Sequence, residues 1–210
     1  LAFIFSRSYS RVGEPCQLDR LEVSGTAGDN GGMKTILIAG LAFCVLAVST
    51  SGGQKPPLET VPSVDLQKYM GTWYEIASFP QKFQKGCHCT TATYEMTDKG
   101  FVRVINNCRK DAADGKLKAA TGKAFVVEGT GNAKLKVQFF WPFRGDYWII
   151  DLADDYSYAV VGAPDRDYLW ILARTPRMDE SLYREIVARC VAKAFDVSRL
   201  AMTDQSCAAR

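Results

Sequence analysis

Residues 71–90 read GTWYEIASFPQKFQKGCHCT. The stretch opens on Gly71-x-Trp73 and closes on Cys87-His88-Cys89, and His88 is the single histidine of the chain. Two thiols around an imidazole have the ligand types of a zinc grip. A structural zinc site takes about four such ligands, however, and only Cys108 is near enough in sequence to add one. In the cytosol the spacing would suggest metal or redox work, whereas in an oxidising compartment it suggests disulfides. The choice therefore rests on where the chain goes.

That destination is written upstream. Met33 opens MKTILIAGLAFCVLAVSTSGG, in which Lys34 precedes an uncharged, mostly apolar run from Ile36 to Val48. Small residues follow at Ala47, Ser49 and Ser51. This is the order of a secretory signal peptide, predicted over 33–51 with cleavage near Ser49 or Ser51. The run falls short of the roughly 20 residues that a membrane-spanning helix needs. Cys44 lies inside it and raises lipidation, but the preceding Phe43 is bulky where lipoprotein signals carry a small residue. Residues 1–32, rich in Ser, Gly and Arg, read as sequence upstream of the true start. Residues 52–63, with two Gly and three Pro, read as a linker. The expectation is export to the periplasm, with outer-membrane association as the alternative.

A length of 210 residues fits one domain plus extras, and 47% apolar content is ordinary for a globular chain. A net charge of +3, from 26 basic and 23 acidic residues, does not argue for nucleic acid. There is no glycine-rich phosphate loop and no basic stripe with interleaved aromatics.

Period-two alternation dominates from residue 91 onward. TATYEMT (91–97) and FVRVINN (101–107) flank Asp98-Lys99-Gly100, a hairpin signal. Pairing Thr97 with Phe101 sets Tyr94 opposite Val104 and Ala92 opposite Asn106. One face then carries Ala92, Tyr94, Met96, Val102, Val104 and Asn106. Further strands are predicted within 115–127 and over 133–140, 146–153, 156–163 and 167–174. Lys134 and Lys136 fall on the wet side of the strand that turns Leu135, Val137 and Phe139 inward. Asp179 caps a helix whose apolar face holds Leu182, Tyr183, Ile186, Val187, Cys190 and Ala194. FDVSRLAMT (195–203) supplies a last extended segment. The fold class expected is all-β, an eight-stranded antiparallel up-and-down barrel with one C-terminal α-helix.

Three motifs in this frame carry a family resemblance. Gly71-x-Trp73 opens the first strand, Asp154-Asp155-Tyr156 lies between two late strands, and Arg174 ends YLWILAR. In this order and at these separations they resemble the lipocalins, most closely the bacterial lipocalins and apolipoprotein D, over roughly residues 64–207. Asp154 stands where that family has Thr, a departure in a tolerant loop. The resemblance implies that Trp73 plugs the closed end of the barrel with Arg174 across its indole, while Asp155 and Tyr156 form a turn and packing element. These residues then stabilise the fold and do not touch ligand.

Strand parity points Trp170 inward with Leu172 and Arg174, and Tyr94 and Asn106 inward on the first hairpin. The resemblance to apolipoprotein D implies ligand contacts at Tyr94, Asn106, Phe139 and Trp170. Such walls suit a lipid-like ligand; the competing reading is that these side chains simply fill the barrel. Phe79, Phe83, Trp141 and Phe143 flank the mouth, where they can touch ligand or membrane or fold over the rim. For the thiols, the resemblance pairs Cys89 with Cys207, and the hairpin register brings Cys108 near Cys87, although local geometry also allows Cys89–Cys108. Cys190 remains as a buried thiol on the helix, and His88 reads as an exposed bystander.

The function expected is binding and transport or storage of a fatty acid, lysophospholipid or similar lipid in the bacterial envelope, by a monomer or weak dimer with no metal and no cofactor. An enzyme acting on a hydrophobic ligand would need an inward acid, base or nucleophile, and the chain offers no second histidine and no G-x-S-x-G elbow. An interaction module for a protein or membrane surface is the third reading. Arg144-Gly145-Asp146 could tempt it, but the tripeptide reads as a turn. No strong axial ligand for haem faces the cavity.

Overall fold

The computed structural model describes residues 55–209. The expected signal peptide at 33–51, Cys44 and the upstream stretch 1–32 lie outside the described residues. A one-turn helix α1 (Leu66–Tyr69) leads into strands β1 (Gly71–Ser78), β2 (Cys87–Met96), β3 (Val102–Lys110), β4 (Leu117–Val126), β5 (Lys134–Phe140), β6 (Phe143–Leu152), β7 (Tyr158–Gly162) and β8 (Leu169–Ala173). Helix α2 (Glu180–Ala192) and a two-residue strand β9 (Ala201–Met202) follow. Each of β1 to β7 pairs antiparallel with the next strand, and β8 returns to β1, closing the barrel. The β2–β3 register sets Tyr94 opposite Val104 and Ala92 opposite Asn106, as the three-residue turn requires.

Two apolar layers hold the fold. One fills the barrel with the inward parity of every strand, including Trp73, Val104, Leu135, Tyr147 and Leu172. The other lies between the barrel wall and α2, where Ile150, Val160 and Ile171 meet Ile186, Cys190 and Phe195. β7 and β8 touch both layers. They are therefore apolar at nearly every position (YAVVG, LWILA) where the other strands alternate. Asp179 caps α2 by accepting from the amides of Ser181 and Leu182. The Arg189–Asp151 pair, at 2.6 Å, pins the helix to β6.

The closed end gathers the three motifs. The Trp73 indole is fully buried, donates to the Tyr69 carbonyl at 2.9 Å, and lies under the Arg174 guanidinium at 3.8 Å. Arg174 also donates to the carbonyls of Thr72 and Lys68. Gly71 has φ +92°, and an added Cβ would stand 3.5 Å from that guanidinium. The Tyr156 hydroxyl accepts from the Asp65 amide, tying the late turn to the cap of α1.

Several expectations change. The stretch read as linker is docked from Leu58, which is buried. Val61 and Val64 donate to the carbonyls of Ile149 and Gly131, and Pro56 accepts from the buried Arg166. Its Gly and Pro content forbids helix but leaves an extended strap free to lie on the barrel. Met96 ends its strand and is exposed rather than inward. The stretch 195–203 is mostly a 3-10 turn at Val197–Arg199 before β9, not one extended segment. α1 is a single turn, too short to show periodicity.

Replacing Arg174 with Ala removes the cation–π contact and two charged hydrogen bonds. It is expected to lower unfolding stability by about 2–3 kcal/mol, read from urea denaturation. Arg174→Lys should recover only part, because an ammonium cannot lie flat on the ring while reaching both carbonyls.

Candidate functional site

Up-and-down connectivity puts the loops 79–86, 111–116, 141–142 and 163–168 at the end opposite Trp73. There a cavity of about 430 Å³ opens among Phe83, Gln84, Cys87, Thr90, Asn106, Asn107, Cys108, Lys118, Ala119 and Ala120. The β3–β4 register aligns Asn106 with Ala120 and Cys108 with Lys118, so two inward rows form one wall. Small alanines leave the space, and the Cys87–Cys108 disulfide stands in the same wall.

Beneath the cup the barrel is filled by a hydroxyl chain. Tyr147 bonds Tyr69 at 2.7 Å and Tyr94 at 2.8 Å, and burial pushes all three phenols well above their ordinary range. They stay protonated and satisfy one another.

On the side of the cup, β1 and β2 pair only from Gly71 to Tyr74. Beyond that point the residues around β9 fill the seam. Gln205 donates to the carbonyls of Glu75 and Thr90, at 2.8 and 2.9 Å, and the Cys89 amide donates to the Asp204 carbonyl. Cys89–Cys207 locks this closure. Glu75, 3% exposed, accepts from Ser78, Gln84 and Thr203. His88 is not a bystander: its Nδ1 meets Asp204 at 2.9 Å, a contact that holds the Asp204 carboxyl down to about 2. Among the described residues, no group of three or more His, Cys, Asp or Glu side chains is placed to hold a metal ion.

Of the four side chains expected to touch ligand, only Asn106 stands in this cavity wall. Tyr94 sits lower, in the hydroxyl chain, with its oxygen engaged by Tyr147. Trp170 is fully buried and stacked 5.9 Å from Tyr168. Phe139 packs over Gly122 and borders a separate shallow groove with Phe101 and Trp141. Phe79 is buried against Phe195, Phe83 covers the cup, and Trp141 (87%) and Phe143 (59%) are exposed at the rim. Thr90 and Gln84 join the cup without having been expected there. Thr90 shares parity with Ala92, but the register breaks between His88 and Thr91, and Gln84 ends a short 3-10 helix at Lys82–Gln84 between β1 and β2.

The model of the lipocalin-like domain matches residues 64–205. The chain belongs to the lipocalin family. It is 40% identical over 172 residues to the outer membrane lipoprotein Blc of Escherichia coli K12, covering 81% of this chain and 95% of that protein. It is 39% identical over 162 residues to temperature-induced lipocalin-1 of Arabidopsis thaliana, covering 73% and 86%. With apolipoprotein D of Macaca fascicularis it shares 35% over 159 residues, covering 71% and 80%. Insecticyanin of Manduca sexta has the same fold at TM-score 0.58 and 21% identity, covering 72% of this chain and 86% of its own. Lipocalins are barrels that bind small hydrophobic molecules, and at family level the chain is a binding protein.

Both bridges are expected to stabilise, unequally. In the loop-entropy model, opening Cys89–Cys207, which spans 118 residues, with paired Ser substitutions costs roughly 5 kcal/mol. Opening Cys87–Cys108, which spans 21, costs roughly 3 kcal/mol; denaturant titration of the two double variants tests the order. Cys190 is buried on α2 with its thiol pushed up to about 12 by burial. In the folded protein it should stay unmodified by iodoacetamide and react only after unfolding, as read by mass spectrometry.

Proposed function

We propose that this lipocalin is an exported carrier that stores or moves a single-chain lipid, a fatty acid, lysophospholipid or similar molecule, in the bacterial envelope. In this reading residues 33–51 are removed on export and residues 64–207 form the binding unit. The observation that carries it is the cup of about 430 Å³ set above a closed end packed with Tyr69, Trp73, Tyr94 and Tyr147. An apolar tail partitions into such a cup because its surface leaves water. Two disulfides fit an oxidising compartment. Asn106 is the direct polar contact.

The rim adds a route for the cargo. Phe140, Trp141 and Phe143 on the β5–β6 turn are exposed, at 55%, 87% and 59%. Aromatic rings at that height suit brief contact with a lipid surface, from which a tail passes into the cup. No helix among the described residues is long and apolar enough to cross a membrane.

The test is native mass spectrometry of protein purified from its exported fraction, with identification of extracted lipid. A stoichiometric single-chain lipid is expected. It should be lost in Ala120→Trp, which fills the cup, while circular dichroism stays unchanged. A barrel that carries no lipid and takes none up in titration would overturn the reading. Trp141→Ser with Phe143→Ser should slow uptake from vesicles but leave equilibrium affinity within about twofold.

A further inference from the structure

The net charge of the whole chain is only +3, but the charges are spread unevenly over the barrel. The outer positions of β3, β4, β5 and the first half of β6 stand side by side in register, with Arg103 opposite Lys123, Phe125 opposite Lys136, Lys136 opposite Asp146 and Lys134 opposite Trp148. The cations on this face are Arg103, Arg109, Lys123, Lys134, Lys136 and Arg144, against one acid, Asp146. Asp146 is already met by Lys136 at 2.7 Å, and Glu95 of the neighbouring β2 by Arg103 at 3.0 Å. Lys123, Lys134 and Arg144 lie instead over the rings of Phe101, Trp148 and Phe125, at 4.9, 3.9 and 4.2 Å. Among the described residues, none of these three forms a salt bridge.

A ring under a cation holds it in place without cancelling its charge. The face therefore presents placed positive charges that no carboxylate offsets. The flank under α2 differs, because there Arg184 is paired with Glu180 and Arg189 with Asp151. The basic face also holds a shallow groove of about 340 Å³, bordered by Phe101, Arg103, Lys123, Phe139 and Trp141. The groove leads to the β5–β6 turn, where Trp141 and Phe143 are exposed. Rings thus stand at the rim and cations just behind them. A bilayer with anionic headgroups presents the matching order: its phosphates attract Lys and Arg within a Debye length, and the layer beneath them accepts aromatic rings.

We propose that the outer face of β3 to β6 is a docking surface for an anionic phospholipid bilayer. Lys123, Lys134 and Arg144 meet its phosphates, and Trp141 and Phe143 enter the interface beside them. The barrel then rests tilted on its β3–β6 side, with the helix-covered flank turned to water. This surface lies on the outside of the wall and is separate from the cup, so it works whether the cup is full or empty.

The test is co-sedimentation of the folded, oxidised protein with vesicles of phosphatidylcholine alone and of phosphatidylcholine with about one-third phosphatidylglycerol, at about 0.05 and 0.3 M salt. Partition onto the anionic vesicles is expected to exceed that onto the neutral ones by about tenfold or more at the lower salt, and to fall at the higher. Each cation near such a surface is worth about fivefold, so Lys123→Gln with Arg144→Gln should weaken the partition roughly thirtyfold. Arg177→Gln with Arg184→Gln removes the same charge from the α2 flank and should change it less than about twofold. Ala120→Trp, which fills the cup, should leave it unchanged. Equal partition onto both vesicles, no effect of the Lys123 and Arg144 substitutions, or an equal loss in the α2 pair would overturn the docking face. So would a dimer that binds no vesicle and that the Lys123 and Arg144 substitutions dissociate, since the face would then belong to a second copy of the chain. The carrier reading is judged separately: a protein that docks on anionic vesicles but takes up no lipid keeps the face and loses the carrier, and one that holds lipid but does not dock does the reverse.

Discussion

The contact between Trp73 and Arg174 is the constraint on which the rest of the barrel depends. An eight-stranded barrel is a tube, and a tube with two open ends keeps no dry interior. The indole closes one end, and the guanidinium covers it while holding the carbonyls of Thr72 and Lys68. Above it, Tyr69, Tyr94 and Tyr147 fill the cross-section with ring volume and spend their hydroxyls on one another. The free space is thereby moved to the other end, where Ala120 and Asn106 face it. Residues more than 80 positions apart in sequence converge at the plug. Their shared presence is thus a signature of closure rather than of ligand choice.

The second constraint is lateral. α2 covers the wall of β6, β7, β8 and β1 with its own apolar layer, so that side of the barrel is buried on both faces and stiff. Among the described residues no helix covers the side built from β2 to β5, and the β4–β5 pairing spans only Lys123–Val126 on β4. The cup opens against this more lightly supported side, next to the exposed β5–β6 turn. Rigidity on one flank and access on the other suit a container that must keep its shape while its contents change.

What the sequence shows plainly is whatever obeys a period. Alternation along β2 and β3 fixes their register once the Asp98-Lys99-Gly100 turn is recognised, and with it the inward position of Asn106. The three motifs identify the family because each is tied to a fixed place at the plug. Less is visible where the period breaks. The irregularity around Cys89, which has φ +54°, hides that Thr90 faces the cup. Gln84 ends a single 3-10 turn, too short to carry a period. Parity also cannot tell depth: Tyr94 and Asn106 share a face, yet one belongs to the filled base and the other to the cup. The strap 55–63 reads as a linker because composition records what a segment cannot form, not what it rests on.

The seam between β1 and β2 carries one further consequence, for the order of assembly. Its closure needs Thr203, Asp204 and Gln205, and its lock joins Cys89 to a partner 118 positions later. Ribosomes deliver a chain from its N-terminal side, so all eight barrel strands exist before the segment that seals their flank. A nascent barrel is therefore a trough before it is a cup, open along one side as well as at the rim. Oxidation of the last bridge marks the change from a trough open along its flank to a vessel open only at the rim.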